Sequence, residues 1–189
     1  MNKEIRRLRI YKVSVLLILL FAIFVGCSNK KAIKEKIKEM QSMPVIVPFS
    51  QMMYINKIDS VKYDFSIDSF PFRMIVFSGS DECSSCTLSR LFEWNTLLNY
   101  EKKKKMQLYF IINPPKNELD NVIKSYRSSG LEHSIFIDTC GIFLEKNPNI
   151  PTETLYHTFL LDSSWNVVLV GNPLDNAKIK EIFDQTIRL

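Results

Sequence analysis

The stretch Phe72-Arg73-Met74-Ile75-Val76-Phe77-Ser78-Gly79-Ser80-Asp81-Glu82-Cys83-Ser84-Ser85-Cys86 decides how this chain folds. Phe72 to Phe77 is apolar apart from Arg73 and has the length of a strand buried on both faces. Small and polar residues then stop it. From Cys86 to about Tyr100 the spacing predicts a helix with Leu88, Leu91, Phe92 and Leu98 on one face. Two cysteines at this spacing on a first helical turn can close a disulfide. The first also meets the unpaired N–H groups and dipole of the helix N-terminus, which favour its thiolate. The same pair also fits a structural disulfide or half of a zinc site. Zinc would need a second ligand pair at close spacing, whereas Cys27 and Cys140 are isolated and His133 and His157 lie far apart in the sequence. Thiol redox chemistry at Cys83 and Cys86 is the leading expectation.

Working outward, the pattern alternates. Gln107 to Ile112 reads as a strand, Asn117 to Ser128 as a helix after the Pro114-Pro115 stop, and Ser134 to Ile137 as a short strand. Gly141 to Asn147 is a brief helix or turn. Thr158 to Leu161 and Val167 to Val170 form a hairpin turning at Ser163 to Asn166, and Asp175 to Ile187 closes the chain as an amphipathic helix. This order predicts a mixed sheet covered on both faces. Between Met43 and Ser69, the runs Val45-Ile46-Val47 and Tyr63, Phe65, Ile67 predict short edge strands, an N-terminal extension of the sheet. Trp94, Trp165, Phe136 and Phe159 read as packing residues, and Cys140 as a small turn or core residue.

The formal charge of +5 and pI near 9.0 invite a nucleic-acid partner. Residues 1–26 hold five of the 25 basic residues and one of the 20 acidic ones, which leaves 20 against 19 and a net charge of +1. Lys102 to Lys105 is a run without interleaved aromatics and reads as a solvated helix end complementing the dipole. No nucleic-acid partner is expected. The basic start, Lys3 to Lys12, precedes an apolar stretch from Val13 to Val25 that is short for a membrane span, the order found in export signals. Phe24-Val25-Gly26-Cys27 resembles a lipobox, with Phe24 in place of the commoner aliphatic residue. That resemblance implies a lipoprotein signal peptide over 1–26, lipid on Cys27 and membrane anchorage. Ser28, by resemblance to lipoprotein sorting rules, implies the outer membrane facing the periplasm. Residues 27–42, rich in Lys and Glu, then form a weakly helical linker, and 43–189 one domain of ordinary size.

The element order, the Cys83-Ser84-Ser85-Cys86 joint and the stretch Thr158-Phe159-Leu160-Leu161-Asp162 before a turn and Val167-Val168 resemble a thioredoxin-like fold, closest to TlpA-like membrane-anchored periplasmic thioredoxins. His157 to Asp162 and Gly171-Asn172-Pro173 are similar to signatures of a group of thioredoxin-like lipoproteins. The resemblance covers roughly Phe72 to Leu189. It implies a thiol-disulfide oxidoreductase acting on exported protein thiols or disulfides with no cofactor, Cys83 attacking and Cys86 resolving. Two features depart from the family. Glu82 and Ser84-Ser85 replace the aromatic and proline of the usual active-site loop, and Tyr156 or His157 stands where the family places a cis-proline, Pro151 falling several residues too early. Glu82 is expected to oppose a Cys83 thiolate, and His157 to offset Glu82 if it faces the cysteines. Two rival expectations are a copper-binding protein similar to Sco-type chaperones, using Cys83, Cys86 and His157, and a thioredoxin-like interaction module without turnover.

Overall fold

Six strands build the sheet in this computed structural model: β1 (Met53–Ile55), β2 (Phe72–Ser78), β3 (Met106–Ile112), β4 (Ile135–Ile137), β5 (Thr158–Leu161) and β6 (Val167–Val170). Residues 30–56, 70–82 and 84–188 are described, without the side chains of Ser84, Ser85 and Cys86. The stretch 1–26, Cys27, Cys83 and the Tyr63, Phe65, Ile67 alternation therefore lie outside the described residues. The chain divides into two units, Met1–Lys38 and Glu39–Leu189. Residues 30–40 are helical (α1). The other helices are α2 (Ser84–Arg90), α3 (Leu98–Lys102), α4 (Leu119–Ser128), α5 (Ile142–Lys146) and α6 (Ala177–Arg188).

The strands lie in the order β1-β4-β3-β2-β5-β6. β2 pairs parallel with β3 and antiparallel with β5, β3 pairs parallel with β4, and β1 and β6 pair antiparallel at the two edges. This is the thioredoxin-like arrangement, a strand-helix-strand half and a hairpin-helix half sharing one mixed sheet, with β1 as the N-terminal extension. β2 needs its apolar run because neighbours flank it and both its faces are covered. On one face Met74, Val76, Leu108, Phe110 and Leu160 pack in one cluster with Leu88, Leu91, Val122, Tyr126 and Phe183 of the helical layer. On the other face rings take over: Phe49 lies 4.9 Å from Tyr109 and 4.8 Å from Phe136, and Phe77 lies 5.0 Å from Phe143.

Two expectations need correction. The single helix over 86–100 is three pieces: α2 ends at Arg90, Leu91–Leu97 winds as a 3₁₀ helix, and α3 follows. Leu88, Leu91, Trp94 and Leu97 are buried at intervals of three, the period at which 3₁₀ side chains eclipse. Each such fully buried leucine contributes about 2 kcal/mol, enough to set the local winding. The tighter period swings Phe92, assigned to the buried face, out to 51% exposure. Val45-Ile46-Val47 is not a strand. Its backbone bonds go to a turn and a side chain instead: the Val45 N–H donates to the Trp165 carbonyl at 2.9 Å, the Ile46 N–H to Asn147 Oδ1 at 2.8 Å, and Asn147 Nδ2 back to the Ile46 carbonyl at 2.7 Å.

The end of the sheet where β2 starts is held by Glu101. Its carboxylate accepts from the Gln107 side-chain amide, from the Leu108 N–H at 3.3 Å and from His133 Nε2 at 3.2 Å. Burial opposes the charged form of His133. Its bonds to Glu101 and to the Ser134 carbonyl outweigh burial and raise its pKa above the ordinary 6.5. A raised folded pKa stabilises the fold fully below the unfolded value and loses that contribution as pH rises through the folded value. Urea unfolding of the wild type and His133→Gln should therefore show a stability gap that is widest below 6.5 and narrows at higher pH; a gap that widens with pH contradicts the assignment.

Candidate active site

β2 ends at Ser78, and Gly79 to Glu82 make a turn closed by the Glu82 N–H donating to the Gly79 carbonyl at 3.1 Å. α2 begins at Ser84, two residues earlier than the spacing suggested, so Cys86 is its third residue. Cys83 falls between this turn and the helix, outside the described residues. The site is thus framed by what stands on either side of it: a turn at the carboxyl end of a central parallel strand, where α/β sheets hold their sites, and the first turn of a helix.

The Glu82 side chain folds back over its own turn. Oε1 accepts the Gly79 N–H at 3.0 Å and Oε2 the Ser78 hydroxyl at 3.5 Å. His157 completes the arrangement from across the sheet. It directly precedes β5, its carbonyl accepts the Phe77 N–H at 2.8 Å, and its ring meets Phe77 edge-on at 4.8 Å. Its Nδ1 lies 2.6 Å from Glu82 Oε1 and its Nε2 3.1 Å from the Pro151 carbonyl. The side chains are 4% and 16% exposed for His157 and Glu82 respectively. Burial alone would raise the Glu82 pKa. The bonds from His157 and Gly79 outweigh it and hold the carboxyl below its ordinary 4.5.

A carbonyl can only accept, so the bond to Pro151 is one in which an Nε2–H donates, while Nδ1 and Oε1 share the bond between the two side chains. His157 thus meets the side chain that precedes Cys83 in the chain, while the condition set by the sequence, that it face the cysteines, falls on side chains outside the described residues. With both ring nitrogens occupied, His157 could ligate a metal only by giving up one of these bonds. Among the described residues no three His, Cys, Asp or Glu side chains form a metal-sized group.

The same end of the sheet carries the residues after β3 and β4. Asp138, fully buried, accepts the N–H groups of Cys140 at 3.3 Å, Ile142 at 3.0 Å and Phe143 at 2.8 Å, and so caps the short helix α5. Gly141 bends at φ 69°, and an added Cβ there would come within 3.0 Å of Asn113 Nδ2. Cys140 sits in this turn and is exposed. The turn half of its expectation holds; its place in the core does not, because Asp138 fixes the turn through backbone groups alone and leaves the thiol outside.

Several contacts had no signal in the sequence. The groups that complete the Glu82–His157 pair, the Gly79 N–H and the Pro151 carbonyl, belong to the backbone, which carries no residue code. Arg73, the polar interruption in the β2 run, is buried with its guanidinium carbon 4.5 Å above the Trp165 ring and Nη1 donating to the Asp162 carbonyl at 3.2 Å. Trp165 adopts φ 66° in the β5–β6 turn and stacks on Tyr109 at 6.2 Å. Its packing expectation stands, with the added task of holding the hairpin.

No protein-family model matches the chain, and no curated protein matches it. Among solved structures, it is similar to a candidate protein disulfide isomerase from Bacteroides thetaiotaomicron, at 18% identity and a TM-score of 0.45 over 62% of this chain and 71% of that one. It is also similar to PrxQ of Xylella fastidiosa, at 16% identity and a TM-score of 0.46 over 78% and 89%. The bacterioferritin comigratory protein of Xanthomonas campestris matches at 16% identity and a TM-score of 0.45 over 75% and 97%.

Proposed function

We propose that the chain is a membrane-anchored thiol-disulfide oxidoreductase working through Cys83 and Cys86 on exported proteins. The observation that carries the reading is the Cys-Ser-Ser-Cys segment between the turn after β2 and the first turn of α2, at the carboxyl end of a central strand.

In the reducing direction the Cys83 thiolate attacks one sulfur of a substrate disulfide. A Cys83–substrate bond forms, the substrate S–S bond breaks, and the departing thiolate takes a proton from solvent. The Cys86 thiolate then attacks the Cys83 sulfur and releases the second substrate thiol. Two electrons pass to the substrate, and the Cys83–Cys86 pair ends as a disulfide. Run backward, the same steps oxidise a dithiol. Anchorage by lipid on Cys27, with the domain facing the periplasm, is supported by the basic start, the short apolar stretch and Gly26-Cys27.

With a small disulfide protein as substrate, Cys83→Ser should abolish exchange, Cys86→Ser should accumulate a mixed disulfide on Cys83, and Cys140→Ser should leave exchange within about twofold of the wild type. A trapped adduct on Cys140, or full activity of Cys83→Ser, would sink the role assignment. Mass spectrometry of the membrane fraction should find a chain beginning at a diacylated Cys27; an unmodified Cys27 overturns the anchorage.

A further inference from the structure

We propose that one lysine face of α1 lies along the anionic headgroups of the membrane that holds the chain, an electrostatic contact in addition to the lipid. The inference rests on the anchorage proposed above and gives the linker a binding surface of its own.

Charge beyond the signal stretch is unevenly placed. Residues 30–40 hold five lysines and two glutamates, a formal charge of +3, whereas residues 41–189 hold 15 basic and 17 acidic residues, a formal charge of −2. An anionic surface therefore attracts this helix and offers the rest of the chain no net attraction. Lys30 follows Cys27 by three residues, so a lipid there would keep the start of the described helix within about 11 Å of the attached residue, close to one screening length at physiological salt.

The helix sorts these charges by side. At about 100° per residue, Lys30, Lys31, Lys34 and Lys38 fall within a single arc of about 100°. Glu35 and Glu39 lie to one side of that arc, and Ile33, Ile37 and Met40 to the other. All four lysines are exposed, as is Ile33 at their border, while Met40 is fully buried. Lysines at i, i+4 and i+8 run the length of the helix, so they can meet a plane together only if the helix lies flat on it. Among the described residues no helix is long and apolar enough to cross a membrane, so the contact runs along the surface.

Reach alone does not explain the winding. The residues 30–40 span about 16 Å as a helix and about 36–40 Å extended, so a tether whose task is distance loses more than half its span. What winding supplies is the aligned lysine face.

The test is lysine footprinting of the mature chain, purified from membranes in detergent and reconstituted into vesicles of phosphatidylcholine alone or of phosphatidylcholine mixed with phosphatidylglycerol. Acetylation by an uncharged reagent is followed peptide by peptide. In the anionic vesicles Lys30, Lys31, Lys34 and Lys38 should each label about fivefold more slowly than in the neutral ones, the factor that headgroup attraction implies for one lysine. Raising the salt to about 1 M should restore the rates, and Lys116 and Lys178, exposed on the domain, should label alike in both vesicles. A helix standing off the surface gives a different pattern: slowing that fades from Lys30 to Lys38, or is shared equally by Lys116 and Lys178, overturns the inference. Mass spectrometry of the same samples reads Cys27. A lipid-bearing Cys27 with equal labelling in both vesicles refutes the docking and leaves the anchorage intact. An unmodified Cys27 with uniform slowing at the four lysines does the reverse, and a chain that stays in solution refutes both.

Discussion

One imidazole joins the two halves of this fold. The carbonyl of His157 extends the β2–β5 ladder by one bond to the Phe77 N–H, while its ring reaches Glu82 in the turn that leads from β2 to Cys83. The strand-helix-strand half and the hairpin half therefore meet at the point from which the Cys-Ser-Ser-Cys segment departs. A shift of β5 along β2 would pull His157 off Glu82, so the register of the sheet and the contact at the end of the turn before Cys83 are set together.

The burial pattern supports that junction from both sides. One face of β2 is closed by aliphatic residues and helices, the other by a layer of rings that includes Phe49, Phe136, Phe143 and Trp165. The N-terminal extension contributes Phe49 to the ring layer and β1 to the sheet edge, so it belongs to the packing of the domain and does more than precede it. His157, edge-on against Phe77, is the polar end of that layer. His157 is buried and Glu82 half-buried, so the bond between them counts for more than it would at the surface.

The sequence showed most of the framework, because the signals for it are periodic. Phe72 to Phe77, Gln107 to Ile112 and the Thr158 to Val170 hairpin read as strands and are strands, since a largely apolar run has few other places to go. It misled where two periods compete. Leu88, Leu91, Trp94 and Leu97 fit a 3₁₀ spacing of three, yet a window set to 3.6 admits Phe92 as well. Val45 to Val47 has strand composition, but the two prolines beside it and the bonds to Trp165 and Asn147 leave no strand partner for it. At the site, the adjacency of Glu82 and Cys83 was legible, but the contact of His157 with Glu82 was not, because it depends on β5 pairing with β2 and on two backbone groups, and one-dimensional spacing encodes neither.

The account stands or falls on whether Cys83 and Cys86 are a working redox pair. The direct measurement is equilibration of the full chain across a graded series of reduced and oxidised dithiothreitol, with the state of each cysteine read by mass spectrometry after acid quenching. The account predicts one two-electron transition in which Cys83 and Cys86 form a disulfide with each other while Cys140 stays a free thiol throughout. A Cys83–Cys86 pair that remains a dithiol across the whole series, or a disulfide that recruits Cys140, would contradict it.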